Sequence, residues 1–326
     1  MIISRTPLRV SFFGGGSDLP TYYRRHGGAV LSAAIDKSVY VTVSRKFDDA
    51  VRVSYSRTEE VSHASEVQHP LVREALALLG IEGGIEITSV ADIPASGTGL
   101  GSSSSFTVGL LNALHAYRGQ LASAADLAKE SCQIEIDRCG EPIGKQDQFA
   151  AAFGGLNFIR FHPDDTVEVK KVICPCELLT ELQSRLLFFY TGLTRSASVV
   201  LNEQSSAVAR PGRQSDGTGD LARLAEAAYN DLCGGDISSF GPLLHEAWQI
   251  KRQLTSGITN AVIDAAYAAA MDAGAEGGKI LGAGGGGFLM FFAHPERHES
   301  IRQALRPMRE VPLSFAPQGS SIIFVH

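Results

Sequence analysis

The sequence predicts an α+β fold in two units, residues 1–180 and 181–326, and three observations carry that prediction. Strand-like segments crowd the first hundred residues, helical periodicity takes over from about Ser102, and strands return at Leu156 and again late in the chain. Strands in runs followed by helices in runs read as α+β. The length, 326 residues, also exceeds what one core fills, since single cores stop growing at roughly 250 to 300 residues.

Taken in order, Ile2 to Phe13, Ser38 to Arg45, Val51 to Tyr55 and the alternating Ile85, Ile87, Ser89 segment read as strands. Ser102 to Tyr117 sets Phe106, Leu110, Leu111 and Leu114 at helical spacing, and Ser123 is placed to cap a second helix reaching about Arg138. Strands follow at Leu156 to Phe161, Thr166 to Ile173 and Arg185 to Tyr190. Residues 205–219 are poor in apolar side chains and rich in turn formers, which predicts a mobile surface loop: a connector in the plain reading, a lid over a substrate in the sharper one. Helices at about Leu221 to Leu232, Ser239 to Thr255 and Ala261 to Ala273 lead to a glycine-rich turn, the strand Phe288 to Phe292 and a short terminal hairpin.

Composition narrows the function. With 44% hydrophobic residues and a mean hydropathy of +0.04, neither disorder nor a collagen-like repeat fits. A net charge of −6 gives no basic field for nucleic acid or an anionic membrane, so any phosphate must be held locally. The N-terminal residues lack the apolar core of a signal peptide and no run is long enough to span a membrane, so a cytoplasmic location is expected. The five cysteines show no zinc-type spacing and are read as reduced thiols. Nothing decides the oligomeric state. The 34 glycines exceed average usage of about 7 per cent by roughly 11 residues, and the excess concentrates in three places.

The most informative is Pro94-Ala95-Ser96-Gly97-Thr98-Gly99-Leu100-Gly101-Ser102-Ser103-Ser104-Ser105, between a strand and a helix. Alternate glycines let backbone approach a ligand, and the helix N-terminus offers free N–H groups and the positive end of its dipole to a phosphate. The serine hydroxyls suit a hydrated Mg²⁺ accompanying a nucleotide. No Walker A spacing occurs. Gly282-Ala283-Gly284-Gly285-Gly286-Gly287 matches G-x-G-x-x-G but runs into a strand, which rejects a Rossmann site. Glu135 and Asp147, twelve residues apart, can divide the remaining tasks of phosphoryl transfer. Glu135 would hold Mg²⁺ and Asp147 would take a hydroxyl proton, with Lys145 or Arg9 stabilising transferred charge. Arg5 to Pro20 ends a strand in Gly14-Gly15-Gly16 and then presents Ser17 and Asp18, a way to offer a carboxylate to sugar hydroxyls.

With these segments in order, the chain resembles the GHMP kinases, the superfamily named for galactokinase, homoserine kinase, mevalonate kinase and phosphomevalonate kinase. The resemblance spans Arg5 to Phe288: Pro94 to Ser105 is similar to the family's motif around the ATP phosphates, Lys279 to Phe288 to its C-terminal glycine motif. It implies a two-domain fold, an N-terminal ribosomal-protein-S5-like α/β domain and a C-terminal ferredoxin-like α+β domain with the active site between them. It implies ATP and Mg²⁺, with Pro94, Gly97, Gly99, Leu100, Gly101, Ser102, Ser103 and Ser104 around ATP and Ser103 and Glu135 at the metal. It makes Asp147 the catalytic aspartate, Arg9 its neighbour and Asp18 the sugar-binding aspartate.

Where galactokinases carry Gly-Glu-His-Thr-Asp this chain has Gly14-Gly15-Gly16-Ser17-Asp18, which makes galactose an unlikely acceptor. The first motif, Ala34-Ile35-Asp36-Lys37 and Tyr190-Thr191-Gly192-Leu193-Thr194-Arg195 are similar to the corresponding stretches of heptose 7-phosphate kinases. That resemblance implies a sugar phosphate substrate phosphorylated at its anomeric hydroxyl, with Gly15, Gly16, Ser17, Asp18, Gly144, Thr191, Gly192, Arg195, Gly284 and Gly285 about it. A second phosphate needs its own cation. Arg195 with Thr194 and Ser196 is one candidate; Lys37, Arg24 and Arg25 are others.

Overall fold

A computed structural model describes the chain except residues 95–96, 194–196 and 209–211 and the side chains of 197–199, 204, 207–208 and 213. The chain runs β1 (Ile2–Phe13), α1 (Pro20–His26), β2 (Gly28–Arg45), β3 (Val51–Ser54), β4 (Thr58–Val61), α2 (Pro70–Leu78), β5 (Ile85–Ala91), α3 (Ser102–Tyr117), α4 (Ala124–Cys132) and α5 (Gln146–Phe153). It continues through β6 (Leu156–Phe161), β7 (Val167–Lys171), α6 (Cys176–Ser184) and β8 (Leu186–Tyr190). There follow α7 (Ala197–Val208), α8 (Arg213–Cys233), α9 (Phe240–Lys251), α10 (Ala261–Asp272), β9 (Gly277–Ile280), β10 (Phe288–Phe292), α11 (His298–Ala304), β11 (Arg309–Glu310) and β12 (Ser321–Val325).

Two sheets result. The larger has eight strands in the order β12-β1-β2-β5-β3-β4, with β6 on the first half of the long β2 and β7 outside β6. The smaller is antiparallel, in the order β11-β8-β10-β9. The terminal segment is therefore no hairpin. Its first strand joins the small sheet and its last returns to pair with β1, because strand pairing satisfies backbone groups wherever an edge is open, irrespective of sequence distance.

The expected loop at 205–219 is also corrected. Its ends are helical, in α7 and α8, and its small residues serve packing where the sequence reads as turn formers. Thr218 is fully buried, and a side chain on Gly217 would press on Ile250 of α9 and on Leu254 just beyond it.

Helix α3 decides where the site lies. It packs on β1 and β2, burying Leu110, Leu111 and Leu114. Ser4 Oγ on β1 donates to the Gly109 carbonyl at 2.7 Å, and Ser105 Oγ donates to the Pro7 carbonyl at 2.8 Å, which pins the helix start against the strand. The two sheets meet at an aromatic joint. Phe240 of α9 lies 5.4 Å from Phe12, 5.2 Å from Phe13 and 5.2 Å from Phe292, ring centre to ring centre. Phe240→Ala should cost about 3–5 kcal/mol by urea unfolding, the range for removing a buried phenyl ring; a loss under about 1 kcal/mol would show that the joint carries little.

Candidate active site

A cavity of about 610 Å³ opens between the start of α3, the turn after β1, the start of α5 and the glycine loop before β10. One wall is built from Gly97, Thr98, Gly99, Gly101, Ser102, Ser103 and Ser104. Gly101, left-handed at φ 75°, caps α3 without a side chain, so the first amides of the helix face the cavity with the positive end of its dipole behind them. The glycine loop before β10 braces this wall from behind: a side chain on Gly282 would come within 2.5 Å of Gly99 Cα, so the two loops touch backbone to backbone. The glycine excess thus serves the packing of one loop on another as well as approach to a ligand.

Asp147 stands in the first turn of α5, and Arg9 reaches it from β1. Arg9 Nε donates to Oδ1 and NH2 to Oδ2, both at 2.7 Å, while NH1 donates to the Gly99 carbonyl at 2.6 Å. A planar fork matched to a carboxylate fixes both groups and ties the acid to the loop before α3. Asp18 faces the same cavity and is almost fully buried. Its Oδ1 accepts from Gly16 N at 2.9 Å and Gln146 Nε2 at 3.2 Å. Desolvation first, and then the charge of Asp147, push its carboxyl above the usual range.

Glu135 lies behind Ser103, on a π-helical turn, Gln133–Arg138, that continues α4. Ser103 Oγ donates to Oε1 at 3.0 Å and Gln148 Nε2 to Oε2 at 2.5 Å. The carboxyl is fully buried, forms no ion pair with a described residue, and is pushed up to about 7 by desolvation. A buried carboxylate lacking a cation, one bond from a hydroxyl on the cavity wall, is a hard-oxygen pair that fits Mg²⁺, an ion that keeps waters and substrate phosphates as its other ligands. No cage of three or more His, Cys, Asp or Glu occurs among the described residues.

The cavity brings together most of the expected residues and leaves others out. Gly15, Gly16, Gly144 and Gly284 line it. Ser17 does not, since its hydroxyl donates to the Gly14 and Ala29 carbonyls at 2.8 and 3.0 Å and braces the turn. Leu100 is a core anchor whose carbonyl accepts from Arg9 N at 3.0 Å, and Pro94 is exposed at the loop's outer end. Thr191 Oγ1 donates to Gly287 O at 2.8 Å, Gly192 is exposed, and Gly285 N, within the glycine loop, donates to Ile258 O at 2.9 Å; none of the three lines the cavity.

Lys145 is the clearest departure. Its ammonium turns away to Asp165 Oδ1 at 3.0 Å and lies over the Tyr23 ring, 4.9 Å from the centroid. Tyr23, Lys145 and Arg24 all bond Asp165 and, against its desolvation, hold that carboxyl near 2, so the aspartate competes successfully for both basic residues. Lys37 pairs with Asp36. Arg195, Thr194 and Ser196 lie outside the described residues.

Sequence reasoning missed Lys251, gave Lys279 no role, and passed over Ser11 and Gln146. All four line the cavity. Ser11 Oγ and Gln146 Oε1 are buried without a hydrogen-bond partner among the described residues, as acceptor sites for a polar ligand would be. No helix among the described residues is long and apolar enough to cross a membrane.

Comparison with known proteins agrees with this arrangement. Residues 67–155 match the family described as GHMP kinases N terminal domain, and residues 224–309 match GHMP kinases C terminal. The chain is 27% identical to a D-glycero-alpha-D-manno-heptose 7-phosphate kinase of Campylobacter jejuni, over 94% of this chain and 93% of that one. It is 26% identical to a bifunctional fucokinase/GDP-fucose pyrophosphorylase of Arabidopsis thaliana, over 93% of this chain and 31% of that longer protein. Among solved structures, a D-glycero-D-manno-heptose 1-phosphate kinase from Bacteroides thetaiotaomicron superposes with a TM-score of 0.82 at 25% identity, covering all of both chains. Matched in both halves and over its full length, the chain belongs to the GHMP kinases, enzymes that use ATP, generally with Mg²⁺.

Proposed function

We propose that this enzyme is a sugar kinase that transfers the γ-phosphoryl group of ATP to the anomeric O1 hydroxyl of D-glycero-D-manno-heptose 7-phosphate, giving the 1,7-bisphosphate. The step belongs to nucleotide-activated heptose synthesis for bacterial surface polysaccharide, which places the enzyme in the cytoplasm, where ATP is. The observation that carries the reading is the Arg9–Asp147 pair, set between the phosphate-binding loop and the Asp18 side of the cavity. In this reading the chain divides as units 1–180 and 181–326, with β12 returning to the sheet of the first unit and the cavity lined by residues of both.

In this reading the α3 N-terminus and the alternate glycines take the ATP phosphates. Ser103 and Glu135 would hold Mg²⁺, which would supply charge neutralisation for the phosphates. Asp18, Ser11 and Gln146 orient the sugar hydroxyls, and Asp147 accepts the proton of O1. Arg9 fixes the carboxylate so that the acceptor oxygen meets it in one geometry.

The Campylobacter relative supports the 7-phosphate acceptor, and the Bacteroides neighbour is named for a heptose 1-phosphate, so the position of the existing phosphate needs a direct test. A panel of heptose 7-phosphate, heptose 1-phosphate, fucose and galactose with coupled ADP detection provides it. The highest kcat/KM is expected on heptose 7-phosphate. Strong activity on unphosphorylated fucose or galactose alone would overturn the assignment and favour a hexose kinase, a second reading supported by the likeness to the Arabidopsis fucokinase.

A further inference from the structure

Among the described residues three basic side chains, Arg9, Lys251 and Lys279, line the cavity, and of these only Arg9 is matched there to an acid. Lys251 ends α9 and Lys279 lies on β9; they are 6% and 4% exposed. Each ammonium donates to a backbone carbonyl, Lys251 Nζ to Gly282 O at 2.5 Å and Lys279 Nζ to Phe12 O at 2.8 Å. Neither forms an ion pair with a described residue, although an ammonium has three N–H bonds to satisfy. Burying an unpaired cation is costly, and a fold that places two together has its compensation when an anion enters. Desolvation, and then repulsion from Arg9, lower Lys251 to about 8; desolvation, and then Lys251, lower Lys279 well below the usual lysine value.

Position tells which anion. Gly282, which Lys251 holds, rests on Gly99 of the nucleotide loop, and the Gly99 carbonyl holds Arg9. Asp18 is the acid whose charge reaches Lys251, and Arg9 and Lys279 are the other charged groups acting on it. On the α8 side, Asp216 and Asp220 line a separate groove with Ile250 and Leu254. Lys251 therefore lines the same cavity as the α3 wall and Asp147, braced through Gly282 against the loop that precedes α3. Lys145, the residue expected to serve there, is held by Asp165.

We propose that Lys251 is the catalytic cation of the transfer, contacting oxygens of the γ-phosphoryl group as it moves. The inference rests on the kinase reading above. As the sugar oxygen bonds to Pγ, the bond from Pγ to the ADP oxygen breaks, the hydroxyl proton passes to Asp147, and the ammonium keeps its proton throughout.

The test uses Lys251→Met, which keeps the length of the buried stem, and Lys251→Arg. Each protein is titrated calorimetrically with Mg-ADP, and with Mg-ADP plus aluminium fluoride as a mimic of the phosphoryl group in transit. For Lys251→Met, ADP affinity is expected to hold within about threefold and the fluoride complex to weaken about 100-fold, the cost of losing one preorganised transition-state donor. Lys251→Arg should recover part of that loss, and both variants should melt within a few degrees of wild type. Equal weakening of both complexes, or of neither, overturns the proposal. A turnover arm separates the two sources of phosphate. An equal kcat loss on phosphorylated and unphosphorylated sugars supports contact with the γ-phosphoryl group, whereas a loss confined to KM for the phosphorylated sugar overturns it in favour of the sugar's own phosphate. If wild type turns over no sugar in the panel, the acceptor assignment fails while the fluoride titration still decides Lys251.

Discussion

Asp147→Asn is expected to lower kcat by about 10²- to 10⁴-fold, the range a positioned proton acceptor contributes, with KM for ATP little changed. The amide keeps the side chain's shape and one of the two Arg9 bonds, so a purely structural role would leave turnover nearly intact. Removing the charge also leaves the buried Arg9 facing a neutral group, and its guanidinium would then compete for the acceptor hydroxyl or for a phosphate oxygen. Steady-state rates with the preferred sugar decide the matter: turnover within a few fold of wild type would show that Asp147 takes no proton.

The second large effect concerns Glu135, read through both pH and metal. Burial lifts its carboxyl from the ordinary 4.5 to about 7 in the folded chain. A raised folded-state value means that stability is fully present below the unfolded value and is lost as pH rises through the folded one. Without divalent metal the protein should therefore weaken between about pH 4.5 and 7, by about 3 kcal/mol in all if this group acts alone. Glu135→Gln should remove that dependence while raising the Mg²⁺ concentration for half-maximal activity by about 10- to 100-fold or more. Adding Mg²⁺ at pH 8 should raise the melting temperature of wild type and not of the variant. Melting curves at pH 5 and pH 8, with and without Mg²⁺, read all three effects, and a wild-type curve indifferent to both variables would remove Glu135 from the metal site.

Much of the framework is legible locally. The bounds of β1, α3, β6 and β10 coincide with the sequence reading, because apolar periodicity and glycine or proline punctuation act over a few residues. Ser123 caps α4 as expected, its hydroxyl accepting from Asp126 N. What escaped depends on distance in the chain. The start of α8 reads as loop because Gly217, Thr218 and Gly219 look like turn formers until α9 and Tyr22 lie against them. Lys251 draws no notice in the sequence, since burial is a property of the assembled core. Lys145 looks free until the turn after β6 brings Asp165 to it, 20 residues on. Glu135, Ser103, Arg9 and Asp147 could be nominated by residue type and order, but the bonds joining them across 32 and 138 residues exist only once the chain has folded.

The return of β12 to β1 bears on how the protein is made. Ile2 faces Val325 and Arg5 faces Ser321 across that edge. A ribosome releases β1 first and β12 more than three hundred residues later, so at about 5–20 residues per second the outer edge of β1 waits roughly 15 to 60 seconds for its partner. During that interval a growing chain offers a strand with open amides and carbonyls to any neighbouring nascent copy. Slow synthesis or crowded polysomes should thus favour mispairing at this edge, and chaperones that shield emerging strands should raise the soluble yield more than those that act after release.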